Sequence, residues 1–265
     1  MSIKEALAEI TNSNDKLKFY LEHILSGEAT NTEITETLIA LNEYGIDYYI
    51  MDALASVMSS YADHLELTDN DFIDTCGTGG SNLKIFNCST ISAFVVASCG
   101  SKVVKHGNKS ITSKSGSADF LARAGVNINN DRSNAISAFN QFGITFLFAP
   151  NYHQKLKHVA AQRKALGVRT VFNVVGPLVN PANPNYQIIG TSDSKINEAV
   201  INVIKNKGLS RAMVVTSNDG IDELSITSNS SVHELKDNEI TFYEINPKHY
   251  NPVSYTHLRA HETHE

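Results

Sequence analysis

From Asp71 onward the chain alternates short β-branched runs with helical patterns, and the first run leads straight into a cluster of glycines. Phe72-Ile73-Asp74-Thr75 is followed by Gly77-Thr78-Gly79-Gly80. Next come an apolar helix over Ser89–Ser98, closed by Gly100, and a strand over Lys102–Lys105. A helix over Ser117–Ala124, a strand over Ile144–Phe148 and helical patterns over Tyr152–Leu166 continue the alternation. Further strands are expected at Tyr186–Gly190, Ala212–Thr216 and Glu223–Thr227, then a hairpin of Val232–Leu235 and Ile240–Ile245. Strands joined through helices must run parallel, so this half of the chain is an α/β domain with a mainly parallel central sheet.

The first 68 residues differ. Ile24, Leu25, Ile34, Leu38, Ile39, Leu41, Ile50, Leu54, Val57 and Met58 recur at helical spacing. Thr30-Asn31-Thr32-Glu33 has the form of a capping box, and Gly45 stands where a helix ends. The expected fold class is therefore α/β, with a small N-terminal α-helical domain (1–68) beside a larger α/β domain (69–253). Residues 254–265 hold three of the ten histidines and no strand pattern, and they read as a non-native tail. His261-Glu262-Thr263-His264 is one residue short of the zinc motif.

A formal net charge of −6 argues against a nucleic-acid partner, which requires a basic surface. No apolar run has membrane-spanning length and no signal-peptide core is present, so a cytoplasmic protein is expected. Three cysteines without a C-x-x-C pair fit reduced thiols.

Four segments carry residues suited to one phosphorylated ligand. Glycines at 77, 79 and 80 let backbone amides approach an anion, although such a loop can equally be only a turn. It is neither the dinucleotide fingerprint nor a Walker loop: Asn82 and Asn108 stand where those motifs need glycine. Asn87-Cys88-Ser89-Thr90 opens the next helix, where free amides and hydroxyls suit an anion or an ordinary N-cap. Lys105-His106-Gly107-Asn108-Lys109-Ser110, with Ser113 and Ser115-Gly116-Ser117-Ala118-Asp119, brings cations and hydroxyls to a strand end. His106 suits either a general base or a residue that orients this loop. Asp222-Glu223 offers hard oxygen ligands for Mg²⁺, or an exposed acidic turn.

Together with Arg169-Thr170-Val171-Phe172-Asn173-Val174-Val175-Gly176-Pro177-Leu178-Val179-Asn180-Pro181, these segments resemble the anthranilate phosphoribosyltransferase family, from about Ile24 to about Pro247. The resemblance implies transfer of the phosphoribosyl group of 5-phosphoribosyl 1-pyrophosphate (PRPP) to the amine of anthranilate, assisted by Mg²⁺. It implies PRPP contacts at Gly77, Gly79, Gly80, Ser81, Ile85, Asn87, Ser89, Thr90, Lys105, Gly107, Asn108, Lys109, Ser113 and Ser117. Anthranilate would meet Gly77, His106, Asn108, Arg163 and Gly176, and the metal would meet Ser89, Asp222 and Glu223. Positioning falls to Lys105, His106 and Asn108. It also implies a homodimer joined through the helical domain, to which about 163–182 would contribute.

Two departures from the family pattern stand out. Ser81-Asn82 replaces the usual Asp-Gly after the glycines, and the chain stops before the family's usual end, so the α/β domain is expected to be incomplete and to expose apolar surface. A pyrimidine nucleoside phosphorylase-like enzyme shares the general fold but has different phosphate and base motifs. A truncated, non-catalytic PRPP-binding protein is the other alternative.

Overall fold

The computed structural model describes residues 1–68, 71–81, 83, 85–110 and 115–250. Four helices open the chain: α1 (Ile3–Ala8), α2 (Asp15–Ser26), α3 (Asn31–Tyr44) and α4 (Tyr48–Ser60). Their starts follow local chemistry. Thr30 and Glu33 form the expected capping box, and Asp47 accepts from the Ile50 amide at 2.9 Å. Gly45 follows α3 with φ 99°, a conformation that glycine adopts without strain.

The α/β part is one seven-stranded sheet in the order β3-β2-β1-β4-β5-β6-β7. Strands β1 (Phe72–Gly77), β2 (Lys102–Gly107), β3 (Ile144–Phe148), β4 (Tyr186–Gly190) and β5 (Arg211–Ser217) are parallel. The expected hairpin, β6 (Ser230–Lys236) and β7 (Glu239–Ile245), completes the sheet in antiparallel fashion. Its turn, Asp237-Asn238, has both φ angles positive, the geometry a two-residue hairpin requires.

Helices cover both faces. On one face α5 (Cys88–Ser98) lies on β1 and β2, and α6 (Ser117–Arg123) packs Ala118 and Leu121 against Phe146. On the other, α7 (Arg132–Phe142) sets Ala135 and Phe139 against Phe72, Val104 and Leu147. Beside it α11 (Asn197–Asn206) packs on β5 and on α4. The apolar residues of α1–α4 merge there with Ile189, Val200, Ile204, Ala212 and Val214 into one core. Helices α9 (Lys157–Leu166) and α10 (Val171–Val174) return to pack against α2, α3 and α4.

Three local expectations change. The helical pattern over 152–166 is broken at His153: a short α8 (Ala149–Tyr152) and a 3₁₀ turn at Gln154–Leu156 precede α9. His153 has left helical geometry (φ −118°, ψ 57°), and its Nε2 lies 2.9 Å from the carbonyl of Val179. The segment Glu223–Thr227 is not a strand. The hydroxyls of Ser225 and Thr227 donate to the Asp219 carboxylate at 2.7 and 2.9 Å, which coils the segment and leaves Leu224 and Ile226 exposed. Asn87 occupies the N-cap position of α5 without capping it; its Nδ2 donates instead to the carbonyl of Ser115 at 3.2 Å.

Apolar side chains do reach solvent. Ile91, Phe94 and Val95 on the outward side of α5 are exposed, as is Ile188 in the interior strand β4. Among the described residues no helix is long and apolar enough to cross a membrane.

Candidate active site

Strands β1, β2 and β4 each end in glycine, at Gly77, Gly107 and Gly190. In a parallel sheet the carboxyl ends face one rim, and a ligand binds where strand order reverses, here between β1 and β4. The glycines leave clearance for what crosses that rim. A Cβ at Gly190 would run into the backbone carbonyl of Asp222, and one at Gly77 would lie 3.0 Å from the Asp222 carboxylate. A Cβ at Gly107 would strike the Ser117 hydroxyl. The acidic loop and the start of α6 therefore lie directly on the strand ends.

Beyond Gly77 the loop turns through Gly79 (φ 64°) and Gly80 (φ 88°). A turn of glycines lets backbone amides approach an anion without a Cβ in the way. The amides of Gly79, Gly80 and Ser81 have no acceptor among the described residues. The N-terminus of α5 stands beside the acidic loop. There Glu223 accepts from the Ser89 amide at 3.2 Å, and the Thr90 hydroxyl is buried with no partner among the described residues. Ile85 is exposed in the approach to this helix.

Lys105 lies buried in β2 beneath the loop. Its ammonium donates to the carbonyl of Thr75 and lies 3.4 Å from the Ser89 hydroxyl. Burial lowers its pKa, while the buried Asp74 carboxylate opposes that shift. Asp74 in turn accepts from the His106 amide (3.3 Å) and from Asn180 Nδ2 (2.9 Å). The same amide of Asn180 donates to the Val104 carbonyl at 2.9 Å. The Gly-Pro segment is thereby pinned to β1 and β2 by one side chain.

The His106 ring is buried against His153, with ring centroids 5.2 Å apart, and the backbone of Gly176 lies beside it. Burial and the neighbouring His153 lower its pKa to about 3, so the ring is neutral at physiological pH. A buried ring held neutral in this way is a weak base.

The loop after β2 closes on itself. Asp119 accepts from the amides of Ser110 and Gly116, both at 2.9 Å, and these bonds lower its pKa. The Ser117 hydroxyl donates to the Asn108 carbonyl at 3.3 Å. Lys109 is exposed, with its ammonium 5.9 Å from the centre of the Phe148 ring. Ser113 lies outside the described residues.

Charge is left unbalanced at two places. The Glu223 carboxyl is pushed up to about 7 by burial and by the adjacent Asp222. Two adjacent carboxyl groups, one of which burial and its neighbour keep from ionising freely, are suited to a cation. Among the described residues no third acidic, histidine or cysteine ligand joins them. That is the donor set expected where Mg²⁺ keeps waters or substrate phosphates in its remaining positions. The second place is Arg163 on α9. Its guanidinium stacks 5.2 Å from the centre of the Phe172 ring, is partly desolvated, and has no carboxylate partner among the described residues.

One residue carries more structure than its place in the motif suggested. Arg169 donates to the carbonyls of Thr78 (3.3 Å) and Gly79 (2.9 Å) and to the Ser192 hydroxyl (3.0 Å). Its position in the Arg-Thr-x-Phe-Asn run was the available signal, but nothing in the sequence linked it to the glycines.

A sheet with glycine-ended strands, a glycine loop and a carboxylate pair defines a glycosyl-transfer type of site, and residues 69–262 match the model of the glycosyl transferase family, a/b domain. The chain is 41% identical over 255 residues to anthranilate phosphoribosyltransferase from Hydrogenovibrio crunogenus, covering 94% of this chain and 75% of that one. It is also 41% identical to the Persephonella marina enzyme of that name, again with 94% and 75% covered. The anthranilate phosphoribosyltransferase of Thermus thermophilus superposes with TM-score 0.85 at 30% identity, covering 95% of this chain and 75% of that one. The Saccharomyces cerevisiae enzyme, solved with PRPP and Mg, gives TM-score 0.79 at 26% identity, with 89% and 68% covered. This chain belongs to the anthranilate phosphoribosyltransferase family.

Proposed function

We propose that this chain transfers the 5-phosphoribosyl group of PRPP to the amine of anthranilate, releasing pyrophosphate, at the rim formed by β1, β2 and β4. The observation that carries the reading is the meeting of the Asp222-Glu223 pair with Gly77 at the end of β1 and with the Ser89 amide at the start of α5, the open amides of Gly79–Ser81 following directly in the chain. Pyrophosphate would sit on the amides of Gly77–Ser81, with Asn87, Ser89 and Thr90 beside it. Lys105, Gly107, Asn108, Lys109, Ser113 and Ser117 would hold the remaining phosphate and ribose oxygens, with Ile85 against the ligand. Lys105 adds positive charge from below without leaving the sheet.

Asp222, Glu223 and Ser89 would hold Mg²⁺, which when bound neutralises charge on the departing pyrophosphate. Glu223 must then be ionised, and a nearby cation lowers its pKa in the required direction. The anthranilate carboxylate would pair with Arg163, in a pocket shared with Gly77, His106, Asn108 and Gly176. An aromatic amine is nucleophilic without a strong base, so a neutral His106 serves the reaction by orienting the wall around Gly176.

In this reading residues 1–68 with about 163–182 form the helical domain, through which two copies pair in the cytoplasm, and 69–253 form the α/β domain. The tail at 254–265 lies outside the described residues. Anthranilate fluorescence tests the activity directly: it should fall when PRPP and Mg²⁺ are added together, and not with either alone. Constant fluorescence with both present overturns the reading.

A further inference from the structure

We infer that Arg169, working with Ser192, is a positioning residue that holds the glycine loop in its anion-binding shape. The inference rests on the reading of that loop as the pyrophosphate cradle. A loop of glycines has little conformational preference of its own, so something else must fix which side its amides face. Amide and carbonyl of one peptide point in opposite directions. Holding the carbonyls on one side therefore presents the amides on the other.

Arg169 does the holding. One guanidinium nitrogen donates to the carbonyls of both Thr78 and Gly79 (3.3 and 2.9 Å), and the other reaches Ser192 at 3.0 Å. The Ser192 hydroxyl also donates to the Gly79 carbonyl at 3.1 Å, so that oxygen is fixed from two directions. The Thr78 amide donates to the Gly190 carbonyl at 2.8 Å, which anchors the loop to β4. The Arg169 guanidinium lies where a Cβ at Gly80 would stand, and the φ of 88° there favours glycine. The cation lies against the carbonyl side of the loop, where it also adds favourable potential for an anion on the amide side. A planar fork can make these bonds together, whereas the point charge of lysine cannot.

The consequence concerns pyrophosphate more than anthranilate. Binding of Mg²⁺-pyrophosphate, measured by calorimetry, should weaken by roughly tenfold in Arg169→Ala and less in Ser192→Ala, with Arg169→Lys between them. The KM for PRPP should rise in step, the KM for anthranilate should stay within about twofold, and added guanidinium should restore part of the loss in Arg169→Ala. Unchanged pyrophosphate affinity in an Arg169→Ala chain with wild-type circular dichroism overturns the inference. So does an equal rise in both KM values. Should Arg169→Ala fail to fold, Ser192→Ala decides, and wild-type affinity there overturns the inference too. A wild-type chain that binds pyrophosphate but consumes no anthranilate refutes only the acceptor reading. One that binds no pyrophosphate refutes the cradle and this inference together.

Discussion

Two carboxylates in this molecule are drawn out of water and treated in opposite ways. Asp52, on α4, is buried where the helical layer meets the sheet. It receives Asn14 at 2.8 Å, Asn206 at 2.9 Å and the Lys18 ammonium at 3.2 Å. Glu223 receives the Ser89 amide and the Cys88 thiol, with the Lys105 charge at more distance, and faces another acid. The first is satisfied by the chain itself and ties α2 and α11 to α4. The second is left short of positive charge, and that deficit is what a metal ion can fill. A fully paired buried charge reports architecture, while an underpaired one reports a ligand.

The sharpest way to break this contrast is to remove the acid pair. Asp222→Asn with Glu223→Gln should lower turnover by on the order of 10²–10³-fold while leaving the chain folded, as read by steady-state rates and circular dichroism. Retention of full turnover would place the metal elsewhere. Asp52→Ala should do the reverse, costing about 3 kcal/mol of stability in urea unfolding and leaving KM values near wild type. Next in size is Arg163→Ala, expected to raise the KM for anthranilate by roughly 30-fold with little effect on PRPP. An equal rise for both substrates would remove Arg163 from the acceptor pocket.

A pH experiment separates the two acids without mutation. The Glu223 carboxyl is raised in the folded state, so the metal-free chain binds more protons there than the unfolded chain does. Its contribution is full below the ordinary carboxylate pKa of 4.5 and is lost as pH climbs through about 7. Metal-free stability should thus decline over that window by on the order of 2 kcal/mol, and Mg²⁺ should restore more of it at pH 8 than at pH 6. Glu223→Gln should flatten the curve. Melting temperatures across pH, with and without Mg²⁺, test both statements. The smallest effect belongs to the outward side of α5. Val95→Lys should change stability by no more than about 0.5 kcal/mol while reducing concentration-dependent light scattering, since it only breaks an exposed apolar patch.

The alternation after Asp71 was enough to reveal the parallel sheet, because short β-branched runs joined by helices leave few other arrangements. Two helices escaped it. α11 is rich in β-branched residues (Val200, Ile201, Val203, Ile204), which suit a strand as well as a helix although they fall on one helical face, and α7 buries only Ala135 and Phe139 and so shows little stripe. Glu223–Thr227 misled through alternation, since Leu224 and Ile226 face outward and the alternating hydroxyls of Ser225 and Thr227 serve Asp219. At the site, residue types pointed to a phosphate ligand, and the structure brings Glu223 to the Ser89 amide at 3.2 Å. The linkage of Arg169 to Gly79, and of Asn180 to Asp74, was invisible because about 90 and 106 residues separate the partners. Hydrogen bonds at such separations depend on the closed fold and leave no periodicity behind.

The glycine at the end of β4 works as a spacer set to its minimum. Because the Asp222 carbonyl rests where a side chain at Gly190 would begin, one added methyl group would lift the whole acidic turn away from the strand ends. Both carboxyl groups of Asp222-Glu223 would survive such a change, yet each would stand off from the strand ends it now rests on. The distance between the acidic turn and the strand ends is thus gauged by a single absent carbon in β4.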